Sequence, residues 1–519
     1  MKKVGNLYKD ISNFYNIIDM TNKVCKSVRN KKKVDNFESF KIEHIYNIYN
    51  RLKKKDFSFG RYNIFMIYDP KCRIVMAQNI EDKIINHLVS EYVLKKVFDS
   101  KYTNVLCATR KGYGTLYGVK LIKRYLNEMK CKYNNFYVLK IDIKKYFYSI
   151  NHDVLKSILR KKIKDKDVLL LLDNIIDSTN DDYINKRIIE LKKNRIIYLK
   201  NSNLSNKNKL IKEVEEMPLY RTGYGIALGD ETSQCFGLIF LYEIAHFIKE
   251  ELKLHRICIY MDDMIIIHHE KKYLKYCLDI IVNILREYKL DINYKKTRID
   301  SINNGIDFLG YRFFILNKKI ILKLRNRTKK KYKKKIKDIS ILYRNKYIDD
   351  KNFLIGLNSY NGILKWGNCK RLIFERDVIY IIENYYKYKI NYKEYICIFR
   401  IGIFYEIFDR DALIMNKIFN YKIKTISNTF KVGFHIKNLD KVSNIIKDNH
   451  INYIIIDNDN IINKHEDNNN TYNNYSFNIN LLNYQCIIVD KIIKILENNK
   501  LNLGFNDKII KIDELLKIC

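Results

Sequence analysis

The stretch Arg256–His268, which reads RICIYMDDMIIIH, places two adjacent carboxylates in the middle of an apolar run. Residues Ile257–Tyr260 precede Asp262 and Asp263, and Met264–Ile267 follow them. This pattern predicts a β-hairpin of two short buried strands joined by a tight turn at the two acids. Buried carboxylates are costly unless a cation balances their charge, and oxygen ligands suit Mg²⁺. A solvated turn that happens to hold two acids is the alternative, but such a turn does not need apolar residues on both sides.

The charge balance of the 519 residues favours a polyanionic partner. Lys and Arg number 97 against 58 Asp and Glu, a formal net charge of +39, which indicates nucleic acid. An AT-rich genome would enrich Lys, Asn, Ile and Tyr and is an alternative source of this bias. The 11 cysteines include no C-x-x-C pair, so we expect neither a zinc site nor a disulfide framework. We therefore expect a cytoplasmic location. The sequence shows no signal peptide and no run of about 18 apolar residues, so we expect no membrane partner.

A third carboxylate follows a separate apolar run. Phe136–Ile143 is predicted to be a strand that ends at Asp142, 120 positions before Asp262. If the two regions pair in one sheet, the acids can share two metal ions roughly 3.5–4 Å apart, which clamp an in-line phosphoryl displacement. The backbone carbonyl of Ile143 could add a ligand. Phe147 is placed to pack under a sugar ring, although an ordinary core position is the alternative.

Other segments carry groups that suit phosphates or a nucleotide. Arg73 lies on the return strand of a predicted hairpin with a turn at Asp69-Pro70, where it could grip a triphosphate or simply be solvated. Gly223–Leu252 reads as a glycine-rich turn followed by a helix, which lets a nucleotide or template approach the backbone. Lys296 could protonate departing pyrophosphate, or be a surface lysine.

The order of these segments resembles the motifs of reverse transcriptases over roughly residues 55–372. The matching segments are Asp142 in its strand, the turn and helix at Gly229–Gln234, Tyr260–Asp263, Lys295–Thr297 and Phe308–Tyr311. The resemblance implies an α+β right-hand polymerase with fingers, an RRM-like palm and a helical thumb. It assigns residues 1–304 to fingers and palm, and 305–376 to the primer grip and thumb.

The same resemblance implies roles for individual residues. Asp142, Asp262 and Asp263 would be the catalytic carboxylates, binding two Mg²⁺ ions with Ile143; Mn²⁺ is an alternative metal. The nucleotide-binding residues would be Arg73, Phe147 as the gate against ribonucleotides, Leu228, Gly229, Gln234 and Lys296. The primer grip would be Phe308, Leu309, Gly310 and Tyr311. The implied partners are an RNA template, a DNA or RNA primer and dNTPs.

One departure from the commonest pattern concerns the subfamily. Most reverse transcriptases carry Gln-Gly where this chain has Leu228-Gly229, and here Ser233-Gln234 follows. An apolar residue before the glycine is similar to the enzymes of diversity-generating retroelements, which implies error-prone copying opposite template adenines and a possible accessory protein. Leu228 cannot make the hydrogen bonds that Gln offers near the incoming nucleotide. Antiphage-defence reverse transcriptases share much of this pattern and are the alternative.

A different composition begins near residue 377 and predicts a small α/β domain over 377–519. FRIGIFYEIFDRDA, followed by VGFHIKNLDKV, resembles the N-terminal mismatch-recognition domain of MutS over roughly 392–457. That likeness implies that Phe404 stacks on a base and Glu406 hydrogen-bonds to it, although Ile403 replaces the family's usual Asp. A diverged or purely structural module is the alternative. We expect Ile396–Phe408 to be one strand, the Asn-rich stretch near 457–480 to be a loop, and Leu481–Asn498 to be a helix.

The sequence therefore predicts an RNA-directed DNA polymerase fused to a MutS-like nucleic-acid-binding domain. Retroelement copying and phage defence are the two enzymatic versions of this prediction. A catalytically silent nucleic-acid-binding scaffold is the alternative from another class. Three acids at the expected positions argue against the scaffold, because an inactive protein has no use for them.

Overall fold

The computed structural model describes residues 3–475 except 29, 69–71, 317–318 and 427–428. The chain divides into two compact units, an N-terminal unit Met1–Ile321 and a C-terminal unit Leu322–Cys519. The predicted Asp69-Pro70 turn and the predicted helix Leu481–Asn498 lie outside the described residues. The division into fingers, palm and thumb stays a prediction.

The N-terminal unit begins with helices. The second of these helices begins after Asn13, whose side chain accepts hydrogen bonds from the backbone amides of Tyr15 and Asn16. These helices are α1 Tyr8–Ile11, α2 Phe14–Ser27, α3 Lys31–Ser39 and α4 Lys41–Lys54. The antiparallel hairpin of β1 Asn63–Ile67 and β2 Arg73–Ala77 follows, and buried and exposed residues alternate along it. The next helices are α5 Ile80–Val89, α6 Lys96–Phe98 and α7 Thr115–Lys132.

A four-stranded antiparallel sheet forms the centre of this unit. Its strands are β3 Tyr137–Asp142, β4 Ile257–Tyr260, β5 Asp263–His268 and β6 Arg298–Ser301, in the order β4-β5-β3-β6. The chain between β3 and β4 contains α8 Tyr146–Ser149, α9 His152–Lys162, α10 Lys166–Asp177, α11 Asp182–Lys200, α12 Lys207–Glu215 and α13 Glu231–Glu250. Helix α14, Lys271–Glu287, separates β5 from β6. Apolar side chains of the sheet and of α13 share one buried core.

The predicted hairpin at Arg256–His268 is confirmed, with one correction to its turn. Asp263 is the first residue of β5 and pairs with Tyr260, so Met261 and Asp262 form the connection. A second hairpin consists of β7 Ile306–Phe308 and β8 Tyr311–Leu316, after which β9 Lys319–Leu324 spans the boundary between the two units.

The C-terminal unit begins with helices and continues as a mixed sheet. The helices are α15 Asn326–Arg344, α16 Asp350–Asn358, α17 Asn361–Leu364 and α18 Lys370–Asn391. The following elements are β10 Ile396–Ile401, β11 Phe404–Phe408, α19 Asp409–Phe419, β12 Lys424–Ile426, β13 Thr429–His435, α20 Leu439–Asp448, β14 Tyr453–Asp457 and β15 Asn460–His465. The strand order is β12-β13-β11-β10-β14-β15, and β10 and β14 are parallel.

Two expectations for this unit were wrong. Ile396–Phe408 is not one strand, because Gly402, with a φ of 62°, turns the chain between antiparallel β10 and β11. The Asn-rich stretch is not simply a loop, because Asn460–His465 pairs with β14 as an edge strand. Polar side chains are tolerated there since β15 is exposed almost throughout. Within the described residues, no helix is both long and apolar enough to cross a membrane.

Candidate active site

Two strands that are distant in the sequence bring acids together at one end of the four-stranded sheet. β3 pairs with β5 so that Asp142 lies directly opposite Asp263. The Ile143 amide donates a 3.1 Å hydrogen bond to the carbonyl oxygen of Asp262. Met261 adopts a left-handed φ of 53°, which permits the tight connection between β4 and β5. The predicted pairing of the two strands is thus confirmed, whereas the chemical role of the acids stays a prediction.

Two lysines balance the charge of these carboxylates. The Nζ atom of Lys296 lies 2.8 and 2.9 Å from the two carboxylate oxygens of Asp142. The Nζ atom of Lys140 lies 3.4 Å from Oδ1 of Asp263. Burial, reinforced by the neighbouring charge of Asp263, raises the pKa of Asp262 to about 6. The end of the sheet is therefore a place where negative charge attracts cations.

The donor set suits a divalent cation. In the part of the chain that the structure describes, no three His, Cys, Asp or Glu side chains are gathered closely enough to hold a metal ion by themselves. However, Oδ1 of Asp263 is buried without a hydrogen bond, and the pKa of Asp262 is raised by desolvation. A cation would relieve both features, because it would contact this oxygen more closely than the Lys140 ammonium does at 3.4 Å and would favour the ionised carboxylate. The residues present therefore fit Mg²⁺ or Mn²⁺.

The loop before α13 lies directly on the β1–β2 hairpin. The Met76 amide donates a 2.8 Å hydrogen bond to the carbonyl of Leu228. Gly229 has a φ of 135°, and a Cβ atom at this position would lie 2.6 Å from the carbonyl oxygen of Met76. Glycine is therefore required both by the backbone conformation and by the close contact. The contact joins Leu228-Gly229 to the strand that carries Arg73, whose side chain is exposed.

Phe147 and Gln234 lie near the start of α13. The ring of Phe147 is so close to this helix that a Cβ atom at Gly237 would lie 3.4 Å from it. The Ile226 amide donates a 2.9 Å hydrogen bond to the carbonyl of Phe147, which fixes the backbone below the ring. Gln234 is exposed one helical turn before Gly237, although most of α13 is buried. These two predicted residues are thus held by the same helix.

The β7–β8 hairpin divides the predicted primer-grip residues into two kinds. Phe308 and Tyr311 are each only 1 % exposed, and the ring of Tyr311 meets that of Phe313 edge-on at 6.5 Å. Leu309 and Gly310 form the half-buried turn, with φ angles of 49° and 86°. The turn can present atoms to a ligand, whereas the two aromatic rings support it from within.

The sequence reasoning missed three residues of this region. Lys140 lies two positions before Asp142, and alternation along a strand could have indicated that both project to one side. It also donates a 3.2 Å hydrogen bond to the carbonyl of Asp307. Asp230 is buried, which raises its pKa to about 7, and the Tyr62 hydroxyl donates a 3.1 Å hydrogen bond to it. No local signal indicates this burial, since Tyr62 and Asp230 are 168 residues apart.

In the C-terminal unit, the predicted base-contacting residues have different surroundings. Phe404 is 44 % exposed and meets the ring of His435 edge-on at 5.5 Å. Glu406 is buried and forms an ion pair with Lys431. The exposed ring of Phe404 is available for stacking. One carboxylate oxygen of Glu406 faces a lysine of the neighbouring strand, and the expected hydrogen bond between Glu406 and a base stays a prediction.

Helix α15 of the C-terminal unit is strongly basic. Its 19 residues include nine Lys and Arg and one Asp, with Tyr332, Ile336 and Ile339 on its buried side. A charge of this size on one helix suits the phosphates of a nucleic acid.

Comparisons with known proteins give two family matches and similar solved structures. The family described as "Reverse transcriptase (RNA-dependent DNA polymerase)" matches residues 52–313, and "MutS domain I" matches residues 380–453. No curated protein matches the chain significantly. One similar solved structure is apo telomerase from Candida tropicalis truncated from its C-terminal domain, at 15% identity and a TM-score of 0.34. That similarity covers 51% of this chain and 55% of the telomerase chain, so this chain spans about half the length of that structure.

Proposed function

The chain belongs to the reverse transcriptase family, and from that premise we propose that it is an RNA-directed DNA polymerase. It copies an RNA template from a DNA or RNA primer by nucleotidyl transfer from dNTPs. The observation that carries the proposal is the register of β3 and β5, which sets Asp142 opposite Asp263 with Asp262 in the adjoining turn. If the chain were a catalytically silent nucleic-acid-binding scaffold, the arrangement of the three acids would have no function.

The acids have a defined task in this proposal. Two Mg²⁺ ions, or Mn²⁺, bound by Asp142, Asp262, Asp263 and the Ile143 carbonyl would supply Lewis acidity for attack of the primer 3′-hydroxyl and departure of pyrophosphate. Lys296 compensates the charge of Asp142 in this structure. Because its side chain is half exposed, Lys296 could also donate a proton to the leaving pyrophosphate.

The incoming nucleotide is proposed to bind where the β1–β2 hairpin meets the start of α13. The exposed guanidinium of Arg73 contacts the triphosphate, since charge-assisted hydrogen bonds to phosphate are strong. Phe147 lies beneath the sugar and rejects a 2′-hydroxyl. The hydrogen bond between Met76 and Leu228 supports this arrangement, because it couples the strand of Arg73 to the Gly229 loop. The turn Leu309-Gly310 is proposed to contact the primer. Helix α15, in the C-terminal unit, is proposed to bind nucleic-acid phosphates.

The apolar Leu228 favours error-prone copying of the kind found in diversity-generating retroelements. A leucine offers the incoming base pair no hydrogen bond, so pairing geometry is checked less strictly. An antiphage-defence reverse transcriptase is the second candidate, because the same loop pattern occurs there. The nine cysteines among the described residues are free thiols, which supports a cytoplasmic location. An accessory protein belongs to the retroelement version of the proposal.

The MutS-I-like domain is proposed to bind nucleic acid through Phe404. An exposed aromatic ring stacks on any base, because every base has a π face. The internal ion pair of Glu406 with Lys431 argues for a sequence-tolerant contact. A purely structural module is the alternative.

Substitution of one acid tests the catalytic proposal. Asp262→Asn is expected to abolish primer extension on an RNA template, while the affinity for RNA changes little, since one carboxamide replaces one carboxylate. Asp35→Asn, at an exposed acid on α3, is the matched control and should extend primers normally. Undiminished extension by Asp262→Asn would refute the assignment, and absence of extension by the unchanged chain with either metal would favour the scaffold.

A further inference from the structure

Five aromatic rings follow one another along the surface of the N-terminal unit, away from the acids. This ring ladder consists of Tyr133, His269, His268, Tyr273 and Tyr276. Tyr133 and His269 are stacked with centroids 4.2 Å apart and planes 8° from parallel. The next centroids are separated by 4.4 Å between the two histidines, 4.8 Å to Tyr273 and 6.2 Å to Tyr276.

The ring ladder lies at the opposite end of the sheet from the proposed active site. His268 is the last residue of β5 and Asp263 is the first. Five steps along a strand correspond to about 17 Å, at roughly 3.4 Å per residue. Tyr137, at the far end of β3 from Asp142, pairs with His268 and belongs to the same region. These rings are therefore too far from the acids to take part in nucleotidyl transfer.

Burial accounts for only part of the ring ladder. Four of its rings are partly buried, and the Tyr273 hydroxyl donates a 2.8 Å hydrogen bond to the carbonyl of Leu252. The ring of Tyr276, however, is 60 % exposed, and the His269 side chain is 34 % exposed. Four exposed lysines lie within two residues of a ladder ring in the sequence, namely Lys132, Lys271, Lys272 and Lys275. The exposed acids of the same segments are Asp279 and Glu270, whose carboxylate lies 3.3 Å from Nε2 of His269. Lys271 lies over the ring of Tyr137 at 5.9 Å. Lys272 is one helical turn from Tyr276 on α14, so the two side chains are neighbours on its surface.

We propose that the ring ladder and its lysines form a second binding surface, for single-stranded RNA, separate from the site of nucleotidyl transfer. Bases stack on exposed aromatic rings while a positive border attracts the phosphates, and this combination tolerates any sequence. Burial and the neighbouring His269 lower the pKa of His268, so its ring is neutral at physiological pH and suited to stacking. The surface holds RNA whether or not the acids are active.

Removal of one exposed ring tests the proposal. The full chain is titrated with a fluorescent single-stranded RNA decamer of mixed sequence, in the presence of excess blunt RNA–DNA duplex that occupies a polymerase cleft. Tyr276→Ala is expected to weaken binding about 5- to 150-fold, the factor that corresponds to roughly 1–3 kcal/mol per stacked base. Tyr276→Phe, which keeps the ring, should bind as the unchanged chain does. Tyr46→Ala, at a tyrosine of similar exposure on α4, is the matched control.

The lysines provide an independent measurement. Affinity falls as salt rises, and each phosphate contact on a single strand contributes roughly −0.7 to the slope of log affinity against log salt. Replacement of Lys271, Lys272 and Lys275 by Ala should therefore make this slope less negative by about 2. The triple Lys→Arg variant should keep the slope. Equal affinity of Tyr276→Ala and the unchanged chain, or an equal loss with Tyr46→Ala, would overturn the proposal. Neither outcome depends on polymerase activity, so the two proposals fail separately.

Discussion

At the scale of single residues, Gly229 shows how one contact limits the choice of side chain. Its φ of 135° is a conformation that side chains rarely adopt, and the carbonyl of Met76 occupies the space of a Cβ atom. The atom 2.6 Å from this Cβ position belongs to the backbone of Met76 and not to a flexible side chain. Any substitution therefore has to displace the loop from β2.

Gly229→Ala is expected to reduce primer extension strongly, by tenfold or more, because separating the loop from β2 by about 1 Å misplaces groups that bind the nucleotide. Extension rates and the KM for dNTP would be measured together. Gly362→Ala is the matched control, since a Cβ atom there meets nothing within 4 Å. Wild-type kinetics in Gly229→Ala would show that the loop does not position the nucleotide.

Asp230 makes stability depend on pH in a defined direction. Burial raises its pKa to about 7 in the folded chain, whereas an unfolded Asp titrates near 3.9. Between these values the folded state holds the extra proton, so stability falls as pH rises from about 4 to 7 and the full penalty persists above 7.

Asp230→Asn removes this penalty because an amide stays neutral at every pH. The stability gained by the variant is its free energy of unfolding minus that of the unchanged chain. This gain should be about 2 to 3 kcal/mol larger at pH 8 than at pH 4.5. Urea denaturation at the two pH values measures it. An Asp35→Asn control should show no such trend, and a difference independent of pH would contradict the burial argument.

At the scale of secondary-structure elements, a buried network holds the C-terminal unit together. Asp411 on α19 is fully buried, and Lys389 on α18 lies 3.0 Å from its carboxylate. The Tyr472 hydroxyl and the Cys397 amide on β10 donate to the same carboxylate at 2.6 and 2.9 Å. One carboxylate therefore connects a helix, a strand and the segment after β15 to α19.

Asp411→Ala should lower the free energy of unfolding by about 3 to 5 kcal/mol, because it leaves a poorly solvated ammonium without its partner. Thermal unfolding followed by circular dichroism would detect the change. Asp448→Ala, at an exposed acid on α20, is the control and should change stability by less than about 0.5 kcal/mol. Similar melting of the two variants would show that the network contributes little.

At the scale of the whole molecule, the proposed error-prone copying can be read from the product. cDNA made by the full chain on an RNA of all four bases should carry most errors opposite adenine. Leu228→Gln should reduce those errors, because Gln restores hydrogen bonds near the incoming base. Sequencing of the cDNA measures both, with Leu228→Met as the apolar control. Equal error rates at all four template bases would count against the retroelement version and favour the defence version.

The sequence predicted the acid-bearing hairpin and the strand of Asp142, and its motifs carried the two family resemblances. Periodicity carried the strand predictions, since alternation and apolar runs depend on each residue's own chemistry. It failed where a turn interrupts an apolar run, as at Gly402, and where polar residues form an exposed edge strand, as in Asn460–His465. It also gave no sign that Glu406 pairs with Lys431, since that contact joins separate strands.

The amino-acid sequence by itself determined which groups are available: three acids in apolar settings, a glycine loop, basic helices and a Phe-Tyr-Glu segment. Only the tertiary structure decided which of them meet. Strand register places Asp142 opposite Asp263, whereas the packing of loops and helices against the sheet brings Lys296 to Asp142 and five rings into a ladder. The physical reason is that local preferences extend over a few residues, whereas charge compensation and ring contacts depend on segments brought together by packing.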